Sequence, residues 1–158
     1  YVMTGQYDKG ILEAERAVEL EPNGADAHMF LGMALKYADR AEEAIPNLQK
    51  AIRLDPHAPG LYLNLLASAY RDIEKYEQAM EWAEKAVQKN PQNVLSRQTL
   101  CSIYSLADRM DEARAQAAEI MRIAPKFSVE RLARTDPTKN QVVKMRYIDA
   151  LRRAGLPD

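Results

Sequence analysis

Along the middle of the chain, apolar positions recur at helical spacing twice over, with a polar turn between the two stripes. Leu63, Leu66, Ala67 and Tyr70 share one helical face, and Tyr76, Ala79, Ala83 and Ala86 share the next. This predicts a hairpin of two amphipathic helices. The same hairpin then reappears: Ala44, Leu48, Ala51 and Pro56 are followed by Ala79, Ala83, Ala86 and Pro91, and by Ala113, Ala117, Ile120 and Pro125. Leu31, Leu66 and Leu100 keep the same phase, each followed by a small residue, Gly32, Ala67 or Cys101. Pro22, Pro56, Pro91 and Pro125 step by 34, 35 and 34 residues, and the extra residue falls in the loop His57–Gly60. A hairpin repeated at this period cannot bury its apolar faces alone. It must stack on its neighbours into an all-α solenoid.

Four related hinges join the paired helices: Gly5–Gly10, Asp39–Ala44, Glu74–Ala79 and Asp108–Ala113. Their acidic residues enter the first turn of each second helix, where the helix dipole favours negative charge. Each second helix stops at an X-Pro step, because the residue before proline is pushed out of the helical region. Pro46 is the exception inside a helix, and a local bend is expected there. Ala86 is expected at the tight contact between the two helices of its hairpin.

The pattern resembles the tetratricopeptide repeat family. The small residue at the helix crossing matches Gly32, Ala67 and Cys101; the tyrosine site matches Leu35, Tyr70 and Tyr104; the second-helix alanine matches Ala44, Ala79 and Ala113; the closing proline matches Pro56, Pro91 and Pro125. The chain departs from the family at the first-helix tryptophan site, which holds His28, Leu63 and Arg97, and at the large aromatic of the second helix, which is Leu48, Ala83 or Ala117. The resemblance implies a right-handed superhelix of antiparallel helix pairs. The expected units are the second half of a repeat at 1–24, full repeats at 25–59, 60–93 and 94–127, and capping helices at 128–158. Tyr1 then stands at a tyrosine site, and a longer protein with more chain upstream is expected.

Beyond Pro125 the period stops. Ser128 suits the cap of a short helix through Arg134, and Thr138-Lys139-Asn140-Gln141 fits a capping box for a longer one. Val142, Met145, Ile148 and Leu151 form its predicted apolar face, expected to dock on the helix pair Val94–Ile123 and cover the end of the solenoid. Gly155 stands where that helix should end. The tail Leu151–Asp158, with Phe127–Leu132 and Asp136-Pro137, also resembles the C-terminus of bacterial signalling proteins whose repeats follow a class III adenylate or guanylate cyclase domain, or a related transcriptional regulator.

Composition narrows the chemistry. The 158 residues suit one domain, and a formal net charge of -1 gives no long-range pull on nucleic acid or membrane. No apolar run reaches the ~20 residues of a membrane span. A lone cysteine excludes an internal disulfide and fits a cytoplasmic domain. Cys101 sits at the small crossing position, which points to a buried inert thiol rather than a nucleophile. His28 and His57 have no Cys or acidic neighbours at zinc spacing. Neither a phosphate-binding glycine loop nor a basic and aromatic run is present. The expectation is a non-enzymatic chain that needs no cofactor or metal.

The resemblance implies that the first helices line a concave groove. In this register the groove carries Met29, Met33, Lys36 and Tyr37, then Leu61, Asn64, Ser68 and Arg71, then Leu95, Gln98, Ser102 and Ser105. Flexible methionines beside polar anchors suit a protein or peptide partner, and Tyr37 and Arg71 are the expected anchors. Lys36 and Arg71 either hold a partner's carboxylates or are solvated. The lysine, arginine and asparagine clamp used by family members that grip acidic C-terminal tails is not matched, since those positions hold residues such as Met29, Met33, Leu65, Leu95 and Thr99. Two function classes remain: a scaffold that binds a peptide or helix in its groove, or a regulatory or self-association module of a multidomain cyclase or transcriptional regulator, acting on a second copy or on its own upstream domain.

Overall fold

The computed structural model describes residues 1–158 and contains nine α-helices after a 3-10 turn, Val2–Thr4, with no strand. The helices are α1 (Tyr7–Leu20), α2 (Ala25–Tyr37), α3 (Ala41–Leu54), α4 (Gly60–Asp72), α5 (Tyr76–Lys89), α6 (Val94–Leu106), α7 (Met110–Ile123), α8 (Val129–Thr135) and α9 (Gln141–Arg153). Three hairpins, α2 with α3, α4 with α5 and α6 with α7, stack in chain order behind α1. The loop between α3 and α4 runs over residues 55–59, one longer than those at 21–24 and 90–93, so the extra residue lies there.

The small crossing positions explain how closely the paired helices approach. A Cβ on Gly32 would lie 2.5 Å from Leu48 Cγ, and Cys101 Sγ lies 3.3 Å from the Ala113 carbonyl oxygen. Ala44, Leu48, Ala51, Ala79, Ala83, Ala86 and Ala113 are fully buried beneath these crossings. Burial pushes the Cys101 thiol up to about 12, which leaves it protonated and unreactive at neutral pH. Gly32→Ala should therefore overpack the first hairpin and cost about 1–3 kcal/mol. Chemical denaturation that returns the parent midpoint and slope would refute this contact.

Each hinge closes by one device. The residue two before the second helix adopts a left-handed conformation: Gly5 at φ 76°, Asp39 at 69°, Glu74 at 63° and Asp108 at 58°. The next N–H reaches back to the carbonyl five residues earlier, Gln6 to Tyr1, Arg40 to Leu35, Lys75 to Tyr70 and Arg109 to Tyr104, at 2.8–2.9 Å. This is a Schellman closure, which satisfies otherwise orphaned terminal carbonyls. Glycine is the residue suited to that conformation, yet three of the four hinges carry an acidic side chain.

The family's tryptophan site has a polar use in two repeats. His28 Nε2 lies 2.8 Å from the Pro22 carbonyl oxygen, and Arg97 Nε donates to the Pro91 carbonyl at 2.7 Å, so each side chain ties a first helix to the preceding proline loop. His28 also contacts Asn47 Oδ1 at 3.3 Å and is buried. α3 remains helical through Pro46.

The last two helices do not continue the repeat. Ser128 Oγ accepts from the Arg131 N–H at 3.1 Å to start α8, and fully buried Val129 joins α8 to the core of the third hairpin. The cap of α9 is Asn140 rather than Thr138: Asn140 Oδ1 accepts from the Val142 and Val143 N–H groups at 2.9 and 3.3 Å. Its buried face is Tyr147, Ile148, Ala150, Leu151 and Ala154, whereas Val142 is 76% exposed and Met145 42% exposed. The face is rotated from the sequence expectation because only the C-terminal half of α9 meets an apolar surface, that of α6.

Candidate peptide-binding groove

The first helices of the hairpins, α2, α4 and α6, neighbour one another directly, and α9 lies across their C-terminal ends. Three contacts fix it. Asn140 Nδ2 donates to Asp39 Oδ2 at 3.0 Å, Arg146 pairs with Glu74, and Arg153 Nη2 donates to Asp108 Oδ1 at 3.1 Å. These acceptors are the three acidic residues in left-handed hinge conformations. Their partners are six and seven residues apart, which on an α-helix is about 10 Å per step at ~1.5 Å per residue. That matches the ~8–10 Å separation of packed helices. α9 thus measures off the repeat spacing.

The same strap satisfies helix-end carbonyls. The Lys139 N–H donates to the Tyr37 carbonyl at 3.0 Å, and Arg146 Nη2 donates to the Asp72 carbonyl at 2.9 Å. Tyr7 Oη donates to the Pro137 carbonyl at 2.7 Å, which ties the connection between α8 and α9 to the start of the solenoid. The chain therefore leaves α8 at the last hairpin, crosses to the first, and returns along α9.

Beneath α9 lies a buried ionic cluster. Asp72 Oδ1 accepts from Arg71 Nε and Nη2 at 3.1 and 2.9 Å, and Asp72 Oδ2 lies 3.3 Å from Lys36 Nζ. Arg71 Nη1 donates to Ser102 Oγ at 3.3 Å, and its guanidinium stacks on the Tyr147 ring at 4.0 Å. Burial opposes the charge on Asp72, but Lys36 and Arg71 outweigh it and hold the carboxyl below the usual aspartate range. Burial pushes the Tyr147 hydroxyl far up, so it stays neutral. Lys36 and Arg71 are each only 4% exposed: they are structural ions, neither solvated nor free for a partner's carboxylates.

What remains open of the groove is a slot of about 180 Å³. One wall consists of Met33, Lys36 and Tyr37 from α2, Leu61, Asn64, Leu65, Ser68 and Arg71 from α4, and Leu95 and Thr99 from α6. Eight of the twelve residues expected from the repeat register thus meet there. Met29 is instead packed in the core, Gln98 lies buried 3.5 Å from Tyr147 Oη, and Ser102 and Ser105 are fully buried. The opposite wall comes from the tail: Leu132, Thr135, Asp136, Pro137 and Tyr147. The sequence signal for that wall is the spacing of Asn140, Arg146 and Arg153 against three acidic hinges.

The slot has apolar rims and a polar floor. Leu61 and Leu95 are 43% and 46% exposed at its edges. Asn64, 4% exposed, lines the slot, and its Oδ1, itself buried, has no hydrogen-bond partner. A buried carbonyl oxygen of this kind costs about 1–3 kcal/mol while unpaired.

Comparisons with known proteins agree with this architecture. Two family descriptions, both "Tetratricopeptide repeat", match residues 1–59 and 31–94 in one case and 74–135 in the other. The Phagocyte signaling-impaired protein of Drosophila pseudoobscura pseudoobscura is 28% identical over 119 residues, covering 75% of this chain but only 12% of that relative's length. The crystal structure of MamA superposes with a TM-score of 0.71 at 19% identity, covering 96% of this chain and 88% of that one. The crystal structure of YrrB, described as a TPR protein with an unusual peptide-binding site, superposes with a TM-score of 0.66 at 18% identity, covering 96% and 77%. None of these likenesses bears on the resemblance of the tail to cyclase-linked proteins. Repeat period, hinge closure and family matches converge, and this chain belongs to the tetratricopeptide repeat family.

Proposed function

We propose that the chain is a protein-binding scaffold that takes an extended peptide in the slot between α4 and the 132–137 crossing. The observation carrying this reading is a slot with exposed leucines on its rims and, buried beneath its floor, an Asn64 Oδ1 that has no partner. A volume of about 180 Å³ suits one inserted side chain with its flanking backbone rather than a helix along the whole groove. A peptide N–H bonded to Asn64 once its amide turns toward the slot, with apolar side chains on Leu61 and Leu95, would combine backbone affinity with side-chain selectivity. The peptide-binding site described for YrrB supports the reading by analogy. Regulation of a catalytic domain elsewhere in the polypeptide has no comparable observation in its favour.

Selection from a random peptide library with the 158-residue chain as bait tests this. Selected peptides should lose affinity for Leu61→Arg at unchanged Tm and keep it for Glu81→Ala on α5. Asn64→Leu should separate stability from function: removing the orphaned amide should stabilise the chain by about 1 kcal/mol while weakening the peptide. Peptides that bind all three variants equally would place recognition elsewhere.

A further inference from the structure

A cavity of about 600 Å³, the largest in the molecule, adjoins the slot across α8, because Leu132 and Thr135 line both. Its floor is apolar, built from Ala124, Pro125, Phe127 and Leu132. Two residues after the closing proline the other loops hold Gly24, Ala58 and Asn93, but this one holds Phe127, half-buried against the core of the third hairpin. An aromatic ring at that position is particular to this junction.

The rim is basic. Lys126 and Arg131 are exposed there, and no acidic residue lines the cavity. The arginines that flank them in sequence are neutralised within their own helices, Arg122 by Glu119 and Arg134 by Glu130, whereas Lys126 and Arg131 have no carboxylate partner. An apolar hollow beside two unpaired cations complements an apolar side chain with a carboxylate next to it. The lining offers no asparagine or glutamine amide to hold a chain end as well, which favours the carboxylate of an Asp or Glu side chain.

We propose that this cavity is a second subsite for the peptide held in the slot, and that it selects segments in which an acidic residue accompanies a second apolar one. The inference rests on the slot reading. Crossing a helix ~10 Å wide takes about three residues of extended chain at ~3.3 Å each. The two apolar side chains therefore stand about three or four residues apart, with the acid beside the second.

The test pans two synthetic libraries of acetylated ten-residue peptides, each with one fixed leucine, one library ending in an amide and the other in a free carboxylate. The baits are the 158-residue chain, its Lys126→Glu/Arg131→Glu variant and Leu61→Arg. Both reversed positions are exposed, and Arg131→Glu puts a glutamate three residues after the Ser128 cap, a capping box that keeps α8. Parent selections should be rich in Asp or Glu about three or four residues from the fixed leucine, equally in both libraries, and the reversed bait should select Lys or Arg there. The tightest amidated peptide should bind the reversed bait about tenfold more weakly at unchanged Tm. Exchanging its acid for glutamine should weaken it on the parent and tighten it on the reversed bait. Selections that need Leu61 but show no acidic preference overturn this proposal and leave the slot reading standing. Selections that switch with the charge reversal but survive Leu61→Arg overturn the slot reading and the joined peptide together. A preference confined to the free-carboxylate library refutes the side-chain carboxylate, and no selection at all refutes both readings.

Discussion

Replacing Asp72 with alanine should destabilise the chain by about 3–5 kcal/mol, because it leaves Lys36 and Arg71 buried without their shared counter-ion. All three side chains are at most 5% exposed, so water cannot take over the lost contacts. The pH dependence follows from the same geometry. Asp72 has its pKa lowered in the folded chain, burial working against ionisation and the two cations prevailing. A depressed carboxylate contributes stability that is fully present above its unfolded value and is lost as pH falls through the folded one. The parent chain should therefore hold this contribution at neutral pH and lose it only below the usual aspartate range. The Asp72→Ala chain should lack that component of its acid transition. Urea denaturation across an acid series measures both; a variant with the parent's midpoint at neutral pH would remove the cluster from any role in stability.

Deleting residues 136–158 should have an effect at least as large. Ile148 and Leu151 are fully buried and Tyr147 nearly so, and they pack with Leu100, Ile103 and Tyr104. Burying each large apolar side chain is worth about 1.5–3 kcal/mol, so these three alone account for roughly 5 kcal/mol or more. The deletion also opens the Lys36–Asp72–Arg71 cluster to water and frees the Tyr37 and Asp72 carbonyls. The shortened chain should melt much lower and associate through the uncovered surface. The milder Ile148→Ala should cost about 2–5 kcal/mol. Light scattering and calorimetry that find the shortened chain monomeric and equally stable would make α9 a loosely attached arm.

The solenoid is legible in the sequence because its determinants are local and repeated. The small residues Gly32, Ala67 and Cys101, the buried alanines of the second helices and the closing prolines each fix one contact that recurs in phase. The same register brings eight of the twelve expected groove residues to the slot, while Met29, Gln98, Ser102 and Ser105 are buried away from it. The path of α9 is not, because no repeat constrains it. Period alone chooses Val142 and Met145 for its apolar face; the helix instead starts over the polar hinges at Asp39 and Glu74 and meets apolar surface only from Tyr147 onward. The ion cluster is hidden in the sequence because Lys36, Arg71 and Asp72 look solvated along a helix until a tail covers them. Two sequence signals point to that cover: acidic residues at three hinge positions where glycine is favoured, and donors at Asn140, Arg146 and Arg153 spaced to reach them.

The most direct measurement of the central claim is amide NMR of the chain titrated with a library-selected peptide. If the peptide lies in the slot left open by the tail, shifts should concentrate at Leu61, Asn64, Leu95, Leu132 and Thr135, the Asn64 side-chain amide should move with them, and α9 should stay in place. Shifts confined to α3, α5 and α7, or signals showing α9 released as the peptide binds, would contradict it.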